Sequence, residues 1–141
     1  MIAPHRLDIR VYYEDTDFSG VVYHANYLRF LERGRTEMLR DLGIDQTALF
    51  SGAAPLAFAV ARMTIDFRRP ALMDDLVEVV TEVAEVAGAS LTLQQRLLRG
   101  EDLLVEASVR VAAVSRGRAV RLPGSLVAQL RGPATSDPAA G

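Results

Sequence analysis

The sequence predicts an α+β domain in which one long helix packs on an antiparallel sheet of about five strands. Three observations lead there. A single stretch, following Asn26, carries apolar residues at helical spacing. Segments from Leu76 to Ser115 instead alternate with a period of two. The connections between those segments are short and glycine-bearing, which suits hairpins and excludes parallel strands, since these need long crossovers.

Taken in order, Leu7, Ile9, Val11 and Tyr13 alternate with Arg6, Asp8, Arg10 and Tyr12, so residues 6–13 read as a half-buried strand. In the helix, Tyr27, Leu31, Gly34, Met38 and Leu42 form one stripe with Phe30 beside it, and Arg29, Arg33 and Glu37 fall toward the polar side. Asn26 is placed to accept from an unpaired N–H as the cap, and Gly43 is the stop. Turn formers fill 45–55, with one helical turn expected at 46–50. Ala57 to Phe67 is apolar on both faces and runs into Arg68-Arg69-Pro70, so it is expected to be a largely covered strand.

Leu76 to Val86 is valine-rich and extended, Gly88-Ala89-Ser90 is a hairpin connection, and Leu91 to Arg99 follows as the next strand. Gly100-Glu101-Asp102 turns the chain again into Leu103 to Ser115, where Leu103, Val105, Ala107, Val109, Val111 and Ala113 make an apolar face. Ala119 to Leu122 can extend the sheet and Ser125 to Leu130 can form a short surface helix. Residues 1–131 thus make one domain. The small, proline-bearing remainder, 132–141, has nothing to bury and is expected to be disordered. A sheet of this kind leaves two edges, which predicts pairing with a second copy.

Composition removes several classes of function. A formal charge of −2 gives no footprint for nucleic acid or an anionic membrane surface. The absence of cysteine rules out disulfides and thiol nucleophiles, and all 16 basic residues are arginine, which rules out Schiff-base lysines. His5 and His24 are far apart and the carboxylates show no ligand spacing, so no metal site is expected. No apolar run reaches transmembrane length and the N-terminus does not read as a signal peptide, so a cytoplasmic protein is the expectation.

The chemistry concentrates between Tyr12 and Leu42. Glu14, Asp15 and Asp17 crowd against a turn at Ser19-Gly20, His24 follows, and then comes the helix start with its unpaired N–H groups. A carboxylate, an imidazole and free N–H donors at the positive end of a helix dipole are the parts needed for acyl-group hydrolysis. Each also has a plainer reading. Aspartate favours turns and caps, a glycine here can simply be a turn residue, and Tyr23 and Asn26 can line a site or cap the helix.

The run Tyr13-Glu14-Asp15-Thr16-Asp17-Phe18-Ser19-Gly20-Val21-Val22-Tyr23-His24-Ala25-Asn26-Tyr27 resembles the signature of hotdog-fold acyl-CoA thioesterases. It is most similar to the Tol-Pal-associated branch of the 4-hydroxybenzoyl-CoA thioesterase family. The likeness continues through Glu32 to Leu39, Arg62 to Phe67, Gly88, Ser90-Leu91 and Gln95. It implies an antiparallel sheet wrapped around a central helix and hydrolysis of an acyl-CoA, with coenzyme A as part of the substrate and no separate cofactor. It also implies a homodimer or homotetramer with active sites at subunit interfaces. By the same resemblance the catalytic pair is Asp17 and His24; Gly20, at a position between strand and helix that a thioester must approach closely, and Tyr23 and Asn26, beside the helix start, are the candidate substrate-binding residues.

Where the 4-hydroxybenzoyl-CoA enzymes carry an aromatic residue and proline, this chain has His24-Ala25, which implies short- to medium-chain aliphatic acyl groups instead. Arg68, Arg69, Arg96, Arg116 and Arg118 are candidates for coenzyme A phosphates. Two other readings compete: a carrier-protein thioesterase or hydratase on the same fold, and a module that binds acyl-CoA without cleaving it.

Overall fold

Two tight hairpins set the centre of the sheet. In the computed structural model, which describes residues 1–132, β3 (Leu76–Ala87), β4 (Ser90–Arg99) and β5 (Asp102–Ser115) run antiparallel with two residues at each connection. β1 (His5–Arg10) pairs on the far side of β3 and β2 (Ala57–Phe67) on the far side of β5, giving the order β1-β3-β4-β5-β2, with the two-residue β6 (Arg118–Ala119) also on β5. The helices are α1 (His24–Asp41), α2 (Gln46–Ser51) and α3 (Gly124–Arg131). The disorder expected over 132–141 lies, Gly132 apart, outside the described residues.

α1 forms where the apolar stripe predicted it. Tyr27, Phe30, Leu31, Gly34, Met38 and Leu39 are buried, and Gly43, with φ +79°, stops the chain as expected. Truncating Phe30 or Leu31, both fully buried, is worth about 2–5 kcal/mol by the usual cavity cost.

The helix comes down tightly on the sheet at Gly34. A Cβ added there would lie 2.5 Å from Val79 Cγ1, 3.1 Å from Thr81 Oγ1 and 3.3 Å from Gln95 Nε2, so only glycine lets the helix sit this low. Gln95 is 1% exposed, and its Nε2 donates to the Leu31 carbonyl at 2.9 Å and to Thr81 Oγ1 at 3.0 Å. A buried amide satisfied in this way fixes the height and rotation of α1.

Four expectations are corrected. The first strand ends at Arg10: Val11 still exchanges backbone bonds with Asp74 and Asp75, but the Tyr12 N–H is taken by the Asp15 carboxylate at 2.8 Å and the chain turns into a 3₁₀ turn over Tyr13–Asp15. The helix begins at His24 with Tyr23 as its cap residue, so Asn26 lies inside the first turn and is not the cap. β2 is not covered. Among the described residues it is an outer strand bonded only to β5, and Val60 and Phe67 are 48% and 50% exposed. Finally, α3 is more than a surface helix, because Leu126 and Leu130 are buried in the main core.

Candidate active site

Backbone pairing builds a small hairpin ahead of α1. Thr16 bridges Val22, the Asp17 N–H donates to the Val21 carbonyl at 2.8 Å, and the Tyr23 N–H donates to the Asp15 carbonyl at 2.9 Å. Gly20 closes the turn with φ +85° and its N–H donates to the Asp17 carbonyl at 3.1 Å. A Cβ on Gly20 would meet no atom of the described residues, so among them the glycine is required by its left-handed φ rather than by a close neighbour.

Asp17 stands exposed on that turn. Its Oδ1 accepts from the Ser19 hydroxyl at 2.7 Å and the Ser19 N–H at 2.8 Å, which leaves Oδ2 open. The Ser19 hydroxyl first, then the Ser19 N–H, hold its carboxyl below the usual carboxylate range, so it is ionised at neutral pH.

The helix start supplies the complementary charge. Among the described residues the N–H groups of His24 and Ala25 have no backbone acceptor, whereas those of Gly20, Val22 and Tyr23 are engaged. Asp17 pairs with Val21 in a register where Asp15 pairs with Tyr23, so the Asp17 backbone and the Tyr23 cap are separated by about two extended residues, roughly 7 Å.

The remaining predicted residues fall around this pair with different roles. The exposed Tyr23 ring lies 4.6 Å from the His24 ring, centre to centre. Asn26 is half-buried and its Nδ2 is 3.4 Å from Asp15 Oδ1, so it braces the turn. Asp15, itself buried, is local structure, as the plainer reading of that carboxylate held.

His24 opens on a shallow cleft of about 250 Å³ bordered by Val22, Tyr27, Phe67, Arg68, Arg69 and Pro70. Asp17 does not border it. Phe67 was missed by sequence reasoning. Its ring sits 6.3 Å from His24 and 5.6 Å from Tyr27, and only its place at the end of an apolar strand before Arg68 could have signalled it. Tyr27 anchors the same corner, its hydroxyl accepting from the Ala71 N–H at 2.9 Å while burial pushes its pKa up.

Several candidate phosphate arginines are paired within the chain: Arg68 with Glu106 at 2.8 Å, Arg69 with Asp102 at 3.5 Å and Arg96 with Glu82 at 3.6 Å. Arg116 donates to the Ala53 carbonyl at 3.1 Å. Among the described residues no group of three or more His, Asp or Glu side chains could hold a metal ion, and no helix is long and apolar enough to cross a membrane.

One long helix set low on an antiparallel sheet, with a carboxylate turn at its unpaired N-terminal end, defines the hotdog class of folds. Comparison with known proteins then fixes the family. A model of the thioesterase superfamily matches residues 19–106, and the chain belongs to that superfamily. It is 51% identical to an acyl-CoA thioesterase YbgC of Haemophilus influenzae over 78% of this chain and 80% of that one. It is 46% identical to an acyl-CoA thioester hydrolase YbgC of Escherichia coli over 89% of this chain and 95% of that one. A crystal structure of a probable thioesterase from Bartonella henselae superposes with a TM-score of 0.83 at 48% identity, covering 86% of this chain and all of the other.

Proposed function

We propose that this chain is a cytoplasmic acyl-CoA thioesterase that releases a free acid and coenzyme A from short- to medium-chain aliphatic acyl-CoAs. Asp17 and His24 are its catalytic residues, and Gly20, Tyr23 and Asn26 shape the place where the thioester lies. The observation that carries this reading is an ionised carboxylate with one free oxygen on the turn that leads into a helix whose first two amides have no backbone acceptor among the described residues.

The amides polarise the thioester carbonyl and hold the oxyanion as it forms, a term typically worth about 3–4 kcal/mol per donor. Asp17 then serves in one of two ways. Its Oδ2 can attack the carbonyl carbon, expelling the coenzyme A thiolate and leaving a mixed anhydride that water hydrolyses. Alternatively it can take the proton from a water that attacks directly. In either route the thiolate leaves with the carbonyl's former C–S electron pair and takes up a proton, and the His24 imidazole is the nearby group able to supply it. No additional cofactor enters this scheme.

The working unit in this reading is a homodimer, alone or as half of a homotetramer. β2 presents an unpaired backbone edge eleven residues long with exposed apolar side chains. Antiparallel pairing with its own copy would set the Ala57 end of one strand across from the Phe67 end of the other, closing the open side of the His24 cleft.

Asp17→Asn tests the proposal. It is expected to lower kcat by about 10²–10⁴-fold in a thiol-release assay while melting temperature and circular dichroism stay at the parent values. A folded variant with near-parent turnover would refute the assignment.

A further inference from the structure

A second cavity, of about 250 Å³, lies between the second half of α1, β2, the sheet and α3. Its walls mix apolar side chains, Met38, Phe58, Leu93 and Leu126 among them, with the polar Glu32, Thr36 and Gln46, and its one cationic wall residue among the described residues is Arg35. That guanidinium is half-buried, and among the described residues its one hydrogen-bond acceptor is Gln95 Oε1 at 3.0 Å. Gln95 cannot move to follow it, because its own amide nitrogen is tied to Leu31 and Thr81. Glu32 borders the same space but is exposed and makes no ion pair with Arg35 among the described residues.

A guanidinium carries five N–H donors in a rigid fork, and a half-buried one with a single neutral partner is under-satisfied. Burial lowers the pKa of Arg35, and the charge of the exposed Glu32 offsets this only in part, which is consistent with a cost of holding the guanidinium there. Carboxylate is the partner that fits the fork with two parallel bonds.

We infer that this cavity receives the acyl group of the substrate and that Arg35, held by Gln95, reads its far end, favouring short acyl chains that terminate in a carboxylate. The inference rests on the proposed thioesterase and its β2-paired dimer. Within one chain, Arg35 is eleven residues along the helix from His24, roughly 17 Å, too far for a short acyl group whose carbonyl sits at the helix start. Across a β2 pair the geometry differs. Phe58 and Val60, which border the Arg35 cavity, lie in the half of the strand that would face Ile65 and Phe67 of the other copy, and Phe67 is the residue beside His24. The acyl group therefore enters the cavity of one protomer from the catalytic corner of the other.

The test uses two thioesters of equal carbon number, glutaryl-CoA and pentanoyl-CoA. Turnover is measured on the parent protein, and binding is measured by calorimetry on Asp17→Asn so that affinity is read without cleavage. The expected result is a preference for glutaryl-CoA of about tenfold or more in both kcat/KM and Kd, the size of one charge-assisted contact. Arg35→Met should abolish that preference while leaving pentanoyl-CoA within a few-fold of parent. Arg35→Gln, which keeps a donor toward Gln95 without the charge, should do the same if the methionine variant folds poorly. Equal affinities for the two thioesters, or equal loss of both in the arginine variants, would overturn this inference alone. Clear discrimination in binding with no turnover of any acyl-CoA by the parent would instead overturn the hydrolase reading and leave the role of Arg35 standing.

Discussion

The middle and the start of α1 make opposite use of one helix. At its middle the buried Gln95 amide is matched, donating to Leu31 and Thr81, and a Cβ on Gly34 has no room. At its start two amides have no backbone acceptor, and the neighbouring aspartate stands exposed with one oxygen unused. The first arrangement fixes where the helix lies. The second leaves donors and charge unspent for a ligand, which is tolerable only because the middle is so firmly held. Stability and chemistry should therefore separate under mutation.

The largest expected departure is at the middle. Gly34→Ala forces a methyl group against Val79 and should lower stability by about 1–3 kcal/mol in denaturant unfolding, with kcat of the folded fraction little changed. Pairing it with Val79→Ala should recover part of the loss, and a strictly additive double mutant would show that the contact is not the cause. Asp15→Asn probes the join between the regions. It weakens a charged acceptor for the Tyr12 N–H and should cost about 1–2 kcal/mol, together with a drop in kcat smaller than that of Asp17→Asn.

Ser19→Ala should be the mildest. Removing the hydroxyl that most depresses the Asp17 pKa should move the acid limb of the kcat/KM profile to higher pH, with turnover at neutral pH almost unchanged. The sign for stability follows from the same shift. A carboxyl whose folded pKa is depressed contributes stability that is present above its unfolded pKa and lost as pH falls through the folded one, so any difference in stability between parent and variant should be present at neutral pH and vanish in acid. An acid limb that does not move would show that another group governs it.

The helix, the two hairpins and the acid turn were legible because each is written locally, in periodicity and in turn residues. What could not be read there depends on long-range partners. Tyr13 continues the alternation of β1 perfectly well, but Asp15 captures the Tyr12 N–H and ends the strand. β2 looked like core because it is apolar on both faces, and in this chain that surface lies open at the sheet's edge. Of the site, the acid turn and the helix start could be found in one stretch of sequence. Phe67 and the Arg35–Gln95 contact could not, since each meets its partners from tens of residues away.

The strand order also governs what happens while the chain is being made. β2 leaves the ribosome well before β5, the one strand that can accept it, and β1 must wait for β3. For that interval the nascent polypeptide carries AFAVARMTIDF unprotected, a segment with the makings of aggregation. Arg62 and Asp66, the two charges spaced along it, are well placed to keep it from sticking to its neighbours until translation reaches Ser115.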